Sequence, residues 1–224
     1  MRHGLAMAPA GLVLVLALVA AGPEKPATEV TVLDERFGSR TAPILLIARP
    51  DVQIELQLDS QQVSSARNTI ARLLERGLSL KGKTGPAVEV ERRRIDEDSI
   101  RWLSDTLSEK QIERLYQVNF QWEGAAAMTR PHVITRLKLT GEQRVAIDQV
   151  LKQLETTRRA RGPLTPAEIG NFSSQAFAVL SPSQRATWNV LLGPPCHFTI
   201  GGRAGTPGKP ADYQSVKAQA PSGG

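Results

Sequence analysis

Apolar residues along the chain recur in steps of three and four behind a repeated polar start signal. After Asp59 they fall at Val63, Ala66, Ile70, Leu73 and Leu74; after Ser108 at Ile112, Leu115, Val118 and Trp122; after Thr140 at Ile147, Val150, Leu151 and Leu154. That spacing keeps one face of an α-helix apolar. A further helix is predicted behind Thr165, with Pro166 at N1, Glu168 at N3 and an apolar face through Ile169, Phe172, Ala176 and Val179. Gly77 followed by Leu78 reads as the stop of the helix that opens after Asp59. Pro50 and Pro131 each read as the start of a short helical turn leading into Leu58 or Leu139. Residues 88–103 are helix-compatible, with helix expected from about Asp96, although residues 88–91 also alternate like a strand. Beyond residues 30–33 little else reads as sheet. The predicted fold class is all-α, in short amphipathic helices.

The start signal is a Leu-polar-x-x-Gln motif that occurs four times, at Leu58-Asp59-x-x-Gln62, Leu107-Ser108-x-x-Gln111, Leu139-Thr140-x-x-Gln143 and Leu180-Ser181-x-x-Gln184. Asp, Ser or Thr followed three residues later by Gln is a capping box. The N-cap oxygen accepts from the N3 backbone N–H, and the Gln amide oxygen accepts from the N-cap N–H, so two otherwise orphaned donors are satisfied. The leucine sits at N′, where a hydrophobic staple places it. Its N4 partner is apolar at Val63 and Ile112 but is Arg144 or Arg185 in the other two.

The motifs belong to a larger repeat. Residues 49–62 align without gaps on residues 130–143, sharing Arg, Pro, Val, Leu, Leu and Gln at an offset of 81. The register continues, with Ala66 meeting Ile147, Ile70 meeting Leu151 and Leu73 meeting Leu154. Residues 107–111 pair with 180–184 at an offset of 73, and Leu115 then meets Trp188. The expected organisation is two tandem helical repeats, residues 41–124 and 125–196, the second eight residues shorter between its motifs.

The ends have a different character. Residues 1–21 carry Arg2 and then an apolar run whose unbroken part, residues 12–21, is ten residues long. A spanning helix needs about 20 apolar residues, whereas a signal-peptide core needs about 7–15. Val19-Ala20-Ala21 offers small residues for cleavage before Gly22. Residues 1–21 therefore read as a secretory signal peptide, an uncleaved N-terminal anchor being the alternative. Residues 22–40 form an N-terminal lead-in. Residues 197–224 read as a disordered, mildly basic Gly/Pro-rich tail.

Composition narrows the chemistry. The 224 residues are 41% hydrophobic and 22% charged with a net charge of +6, which suits a folded chain; loss of Arg2 with the leader leaves +5. One cysteine builds no intrachain disulfide and no Cys-rich zinc site, and three histidines leave little for metal or acid–base work. His132, Cys196 and His197 form no recognisable ligand set, so neither metal nor cofactor is expected. Cys196-His197 has no third orienting group in view, and an unreactive thiol is the plainest reading, with pairing between chains as the alternative. Arg92-Arg93-Arg94, balanced by Glu89, Glu91, Asp96, Glu97 and Asp98, reads as a solvated face. Arg158-Arg159-Ala160-Arg161 reads as a helix C-terminus, where cations suit the dipole. Asp96, Glu97, Asp98 and Asp105 read as falling around a helix start, and Trp102, Trp122 and Trp188 as core anchors. No basic–aromatic interleaving suggests nucleic acid, and no Gly-rich phosphate loop, Ser elbow or zincin spacing is present.

The two motifs per copy, behind a leader in a basic helical chain, resemble the periplasmic LTxxQ-motif family of Spy/CpxP-like envelope-stress proteins. The closest match is Leu139-Thr140-Gly141-Glu142-Gln143 with Leu180-Ser181-Pro182-Ser183-Gln184 behind it. The resemblance implies a thin, curved helical protomer that pairs into a cradle, leaving a homodimer open, and a role in chaperoning unfolded clients or restraining a sensor. The expected function is that of an exported, non-enzymatic helical protein that binds other proteins in the bacterial envelope, periplasmic or secreted, with no stable membrane insertion after cleavage. The expected partner-binding rim is Arg136, Lys138, Arg144 and Lys152, which would attract acidic clients. The alternative is a structural or scaffold module with one dedicated partner.

Overall fold

The computed structural model describes residue 34 and residues 36–200. Among the described residues the protein is all-helical, with nine α-helices, one 3-10 segment and no strand. The order is α1 (Pro43–Leu46), α2 (Pro50–Glu55), α3 (Ser60–Ser79), α4 (Pro86–Thr106) and α5 (Glu109–Glu123). The 3-10 segment Gly124–Thr129 follows, then α6 (Pro131–Leu137), α7 (Gly141–Arg161), α8 (Pro166–Ala178) and α9 (Pro182–Leu192).

Two cores lie along this chain. The first gathers Ile44 and Leu46 from α1, Ile47 just after it, Val52 from α2, Ala66, Ile70 and Leu73 from α3, Leu103 from α4, and Leu115, Val118 and Trp122 from α5. The second gathers Val133 and Leu137 from α6, Ile147 from α7, Ala176 and Phe177 from α8, and Trp188 and Leu192 from α9. Helix α5 serves both. Its i, i+3, i+7 stripe of Leu115, Val118 and Trp122 faces the first core, while Phe120 packs into the second.

The prolines act as expected: Pro50 and Pro131 each occupy the first turn of a short helix. The residue before proline is pushed out of the α region, and Arg49 and Arg130 are both extended, at φ −87° and −72°. Each short helix ends with a non-glycine residue in the left-handed region, Gln57 and Lys138, both at φ 51°. This reverses the chain into Leu58 or Leu139 ahead of the next cap. Of the aromatic anchors, Trp122 and Trp188 are buried; Trp102 is only partly so, and its Nε1 donates to Ser65 Oγ at 3.0 Å.

Several expectations are corrected. Helix α4 begins at Pro86, not near Asp96, and residues 88–91 are helical. Its start is set by Pro86 at N1 behind Gly85 at φ 115°. Asp96, Glu97, Asp98 and Asp105 consequently lie in the body and last turn of α4, not at its start. Gly77 does not stop α3, which runs on to Ser79 and is capped at Leu80; the positive φ values of the turn belong to Gly82 and Gly85. Residues 30–33 lie outside the described residues. The α3–α4 hairpin is tied across by Arg76, which pairs with Glu91 at 2.9 Å and Asp98 at 2.6 Å.

The packed structure also extends past both expected boundaries. In the lead-in, Phe37 meets the Trp122 ring edge-on at 5.0 Å, and Gly38, at φ 78°, leaves no room for a Cβ against Ile169 of α8. Arg158 donates to Phe37 O at 2.8 Å and to Ser39 Oγ, so it anchors this segment as well as ending α7. In the stretch assigned to the tail, Phe198 packs on the first core and the Thr199 N–H donates to Asp51 at 2.8 Å.

A buried ion pair joins the two cores. Glu123, fully buried at the end of α5, takes Arg130 on both carboxylate oxygens, through Nε at 2.8 Å and through Nη2. The Thr41 N–H donates to the same carboxylate at 2.6 Å, and Asn119 Nδ2 and Arg130 Nη2 both donate to Thr41 O at 3.1 Å. Removing one partner strands the other charge. Glu123→Ala should therefore cost about 3–5 kcal/mol, read as a lowered urea midpoint; a loss under about 1 kcal/mol would show the pair to be dispensable.

Candidate functional site

The four motif residues expected to cap helices all do so. Asp59, Ser108, Thr140 and Ser181 accept from the N–H of Gln62, Gln111, Gln143 and Gln184, and each glutamine Oε1 accepts in return from the N-cap N–H. The structure adds a role that the capping pattern does not contain. Gln62 and Gln111 exchange amide hydrogen bonds at 3.2 and 3.3 Å, and Gln143 and Gln184 do so at 2.7 and 2.9 Å. The second amide hydrogen goes to main chain. Gln62 donates to Thr106 O at 2.9 Å and Gln111 to Leu56 O at 3.2 Å; Gln143 donates to Val179 O at 3.0 Å and Gln184 to Leu137 O at 3.1 Å.

Each glutamine thus accepts from its N-cap N–H and from the opposing amide, and donates to the opposing amide and to a main-chain carbonyl. Only a side chain with both a carbonyl and an NH2 group can fill this position. Glu168 is a useful contrast. It closes the capping box of α8, where the Thr165 backbone N–H and then its hydroxyl hold the carboxyl below its ordinary range, with no second motif opposite. The motif leucines lie beneath the caps: Leu107, Leu139 and Leu180 are buried and Leu58 is partly so. In place of an apolar staple partner, Arg185 lays its guanidinium over the Phe177 ring at 5.4 Å and donates to Leu180 O at 2.9 Å.

The expected rim lies elsewhere. Arg136, Lys138, Arg144 and Lys152 are all exposed and form no ion pair among the described residues. Arg144 lines a depression of about 300 Å³ together with Met128, Ile134, Leu139, Val145 and Asp148. Arg136, Lys138 and Lys152 do not line it. Exposed apolar side chains flank these cations at Val145 and recur on the α3–α4 hairpin at Leu74, Leu78, Val90 and Ile100. Of the Arg92–Arg94 run, Arg92 and Arg94 make i,i+3 pairs with Glu89 and Glu91, as a solvated face would.

Cys196 is half-buried, and its thiol is pushed up from an ordinary 9.0 to about 12, by burial first and by the nearby Glu55 charge second. A protonated thiol is a poor nucleophile. Among the described residues no group of three or more His, Cys, Asp or Glu is placed to hold a metal ion, and no helix is long and apolar enough to cross a membrane.

Arg49 was visible in the sequence only as a shared letter, yet it is among the most buried side chains. It holds Asp51 through Nε at 3.0 Å and Nη2 at 2.7 Å, pairs with Asp34 through Nη1, and lies 4.7 Å from the centroid of the Trp122 ring. The signal that could have found it is the Arg-Pro dipeptide, which recurs at Arg130 with a carboxylate of its own. The chain matches no family model, no curated protein and no solved structure.

Two outcomes follow from this geometry. Gln143→Glu keeps the capping acceptor but deletes both donors, and should cost about 1–3 kcal/mol in urea unfolding. The Gln143→Ala, Gln184→Ala double-mutant cycle should return a coupling of about 0.5–3 kcal/mol; a cycle that closes at zero would reduce the two residues to separate caps. Cys196, in turn, should react with iodoacetamide at pH 8 far more slowly in the folded protein than in denaturant. Because its folded value is raised, the stability it contributes is present below pH 9.0 and is lost as pH climbs toward about 12. Equal reaction rates in the folded and unfolded states would refute the buried, protonated thiol.

Proposed function

We propose that the chain is an exported, non-enzymatic protein built from two copies of one helical unit, residues 41–124 and 125–196, and that it binds partly unfolded proteins in the manner of the LTxxQ-motif envelope-stress family. The duplication is supported by matched local geometry. Arg49 and Arg130 are both ion-paired before a helix-opening proline, Gln57 and Lys138 share φ 51°, and each half closes on one reciprocal glutamine pair. Export rests on residues 1–21, which lie outside the described residues.

The observation that carries the binding role is what the motifs leave outside. Their polar groups are consumed in holding helix starts together, so the surface chemistry available to a partner is exposed apolar side chains beside unpaired cations, as at Val145 with Arg144. Apolar contact suits the exposed hydrophobic stretches of an unfolded chain, and the cations raise the capture rate of acidic ones.

The test is aggregation of a chemically unfolded client in the presence of residues 22–224, at low and high salt. The expected result is suppression near equimolar ratio that weakens as salt is added. No suppression at any ratio, with an intact helical circular-dichroism spectrum, would replace this reading with that of a module dedicated to one partner.

A further inference from the structure

Residues 193–200 leave α9 and run back over the first core without regular secondary structure. Gly193 makes the turn at φ 63°, where a Cβ would collide with the Gln117 amide. Beyond it the backbone is gripped at Pro194, Cys196 and Thr199. Pro194 O accepts from Arg114 Nη1 at 2.9 Å and from Gln121 Nε2 at 2.7 Å, while the Cys196 N–H donates to Gln121 Oε1 at 2.7 Å. Thr199 is held by both of its main-chain groups: its N–H donates to Asp51 Oδ2 at 2.8 Å, and its carbonyl accepts from Arg49 Nη2 at 2.8 Å. Between these clamps Phe198 enters an aromatic slot, edge-on to Trp122 at 5.1 Å and to Phe37 at 6.0 Å.

These contacts read main chain at three residues and one aromatic side chain. That is how proteins grip extended peptides, with backbone hydrogen bonds for affinity and a pocket for selectivity. The segment lies on the surface and is not threaded through the core: Pro194, Pro195, His197 and Thr199 are exposed and Phe198 is only partly buried. The slot also holds an unanswered donor, since the buried Trp122 Nε1 finds no hydrogen-bond partner among the described residues.

We propose that the groove formed by Arg49, Asp51, Arg114, Gln121, Phe37 and Trp122 is a binding site for extended polypeptide segments carrying an aromatic residue, and that residues 194–199 occupy it as an internal stand-in which such a segment displaces. The inference rests on the client-binding reading above and names what is bound: a stretch of unfolded chain, gripped by its backbone around one aromatic side chain. A tethered occupant lowers the apparent affinity for an outside peptide in proportion to the time it holds the groove.

The test uses the full chain and its Phe198→Ala variant. The probe is a fluorescein-labelled peptide of residues 194–200 carrying Cys196→Ser, followed by fluorescence anisotropy. The expected result is binding to the variant that is roughly tenfold or more tighter than to the wild-type chain, and no binding of the same peptide with its phenylalanine changed to alanine. Equal binding to both chains, with helix content unchanged, overturns the proposal and leaves the segment a structural staple. A second measurement on the wild-type chain does not depend on the variant folding. The Cys196 and Thr199 amides should exchange with deuterium faster than those of Leu115 and Val118, and faster again when unlabelled peptide is added. Exchange of all four at one rate, unmoved by peptide, also overturns it. Tight peptide binding without client suppression would uphold the groove while removing the chaperone reading.

Discussion

In each half of this protein two glutamines face one another, and the directions of the surrounding helices follow from that contact. A glutamine amide presents one acceptor and two donors, and here every one of them is used. The oxygen takes the N-cap N–H and the opposing amide, and the nitrogen gives to the opposing amide and to a backbone carbonyl. Asparagine would fall a methylene short, and glutamate would bring two negative charges together and donate nothing. The pair therefore fixes two helix starts against each other, with the motif leucines packed beneath. From that junction α3 and α7 run outward for 20 and 21 residues.

The second constraint is the buried charge at the far end of α5. Arginine before proline is held extended, and both copies of that dipeptide put the guanidinium on a carboxylate. Glu123 and Trp122, adjacent at the end of α5, are the points on which the outlying pieces converge. Thr41 and Arg130 meet on Glu123, while Phe37, Arg49 and Phe198 meet on the Trp122 ring. Helix α5 is accordingly the element that the N-terminal segment, the C-terminal segment and both cores share. The Glu123–Arg130 pair is spent on holding this centre, so a partner would meet instead the exposed hairpin, the cations of α6 and α7, and the groove that the C-terminal segment fills.

The helical class and the four caps were legible because both are local. A capping box needs four residues in a row, and an apolar stripe needs one turn and the next. The pairing of Gln62 with Gln111 was not legible, since the two lie 49 positions apart across a hairpin whose path nothing in a capping motif specifies. The start of α4 was missed because its apolar face is narrow; ion pairs to Arg76 help to hold it, and the signal lay in Gly85-Pro86. Gly77 misled because glycine permits a stop without requiring one: the helix continues through it to Ser79, and the turn falls at Gly82 and Gly85. The groove was hidden by composition, since residues 194–199 contain two prolines and few apolar side chains, and what holds them is mostly backbone.

The most direct measurement is native-state hydrogen exchange at the N3 amides of the capped helices. Helix first turns ordinarily fray, opening at a small fraction of the global unfolding energy. If reciprocal amide pairing is what the fold depends on, the amides of Gln62, Gln111, Gln143 and Gln184 exchange only near the rate of global unfolding, while Glu168, capped in the same way but facing no second capping box, exchanges much faster. If all five open alike at a fast, fraying rate, the glutamine pairs are incidental contacts and the account fails.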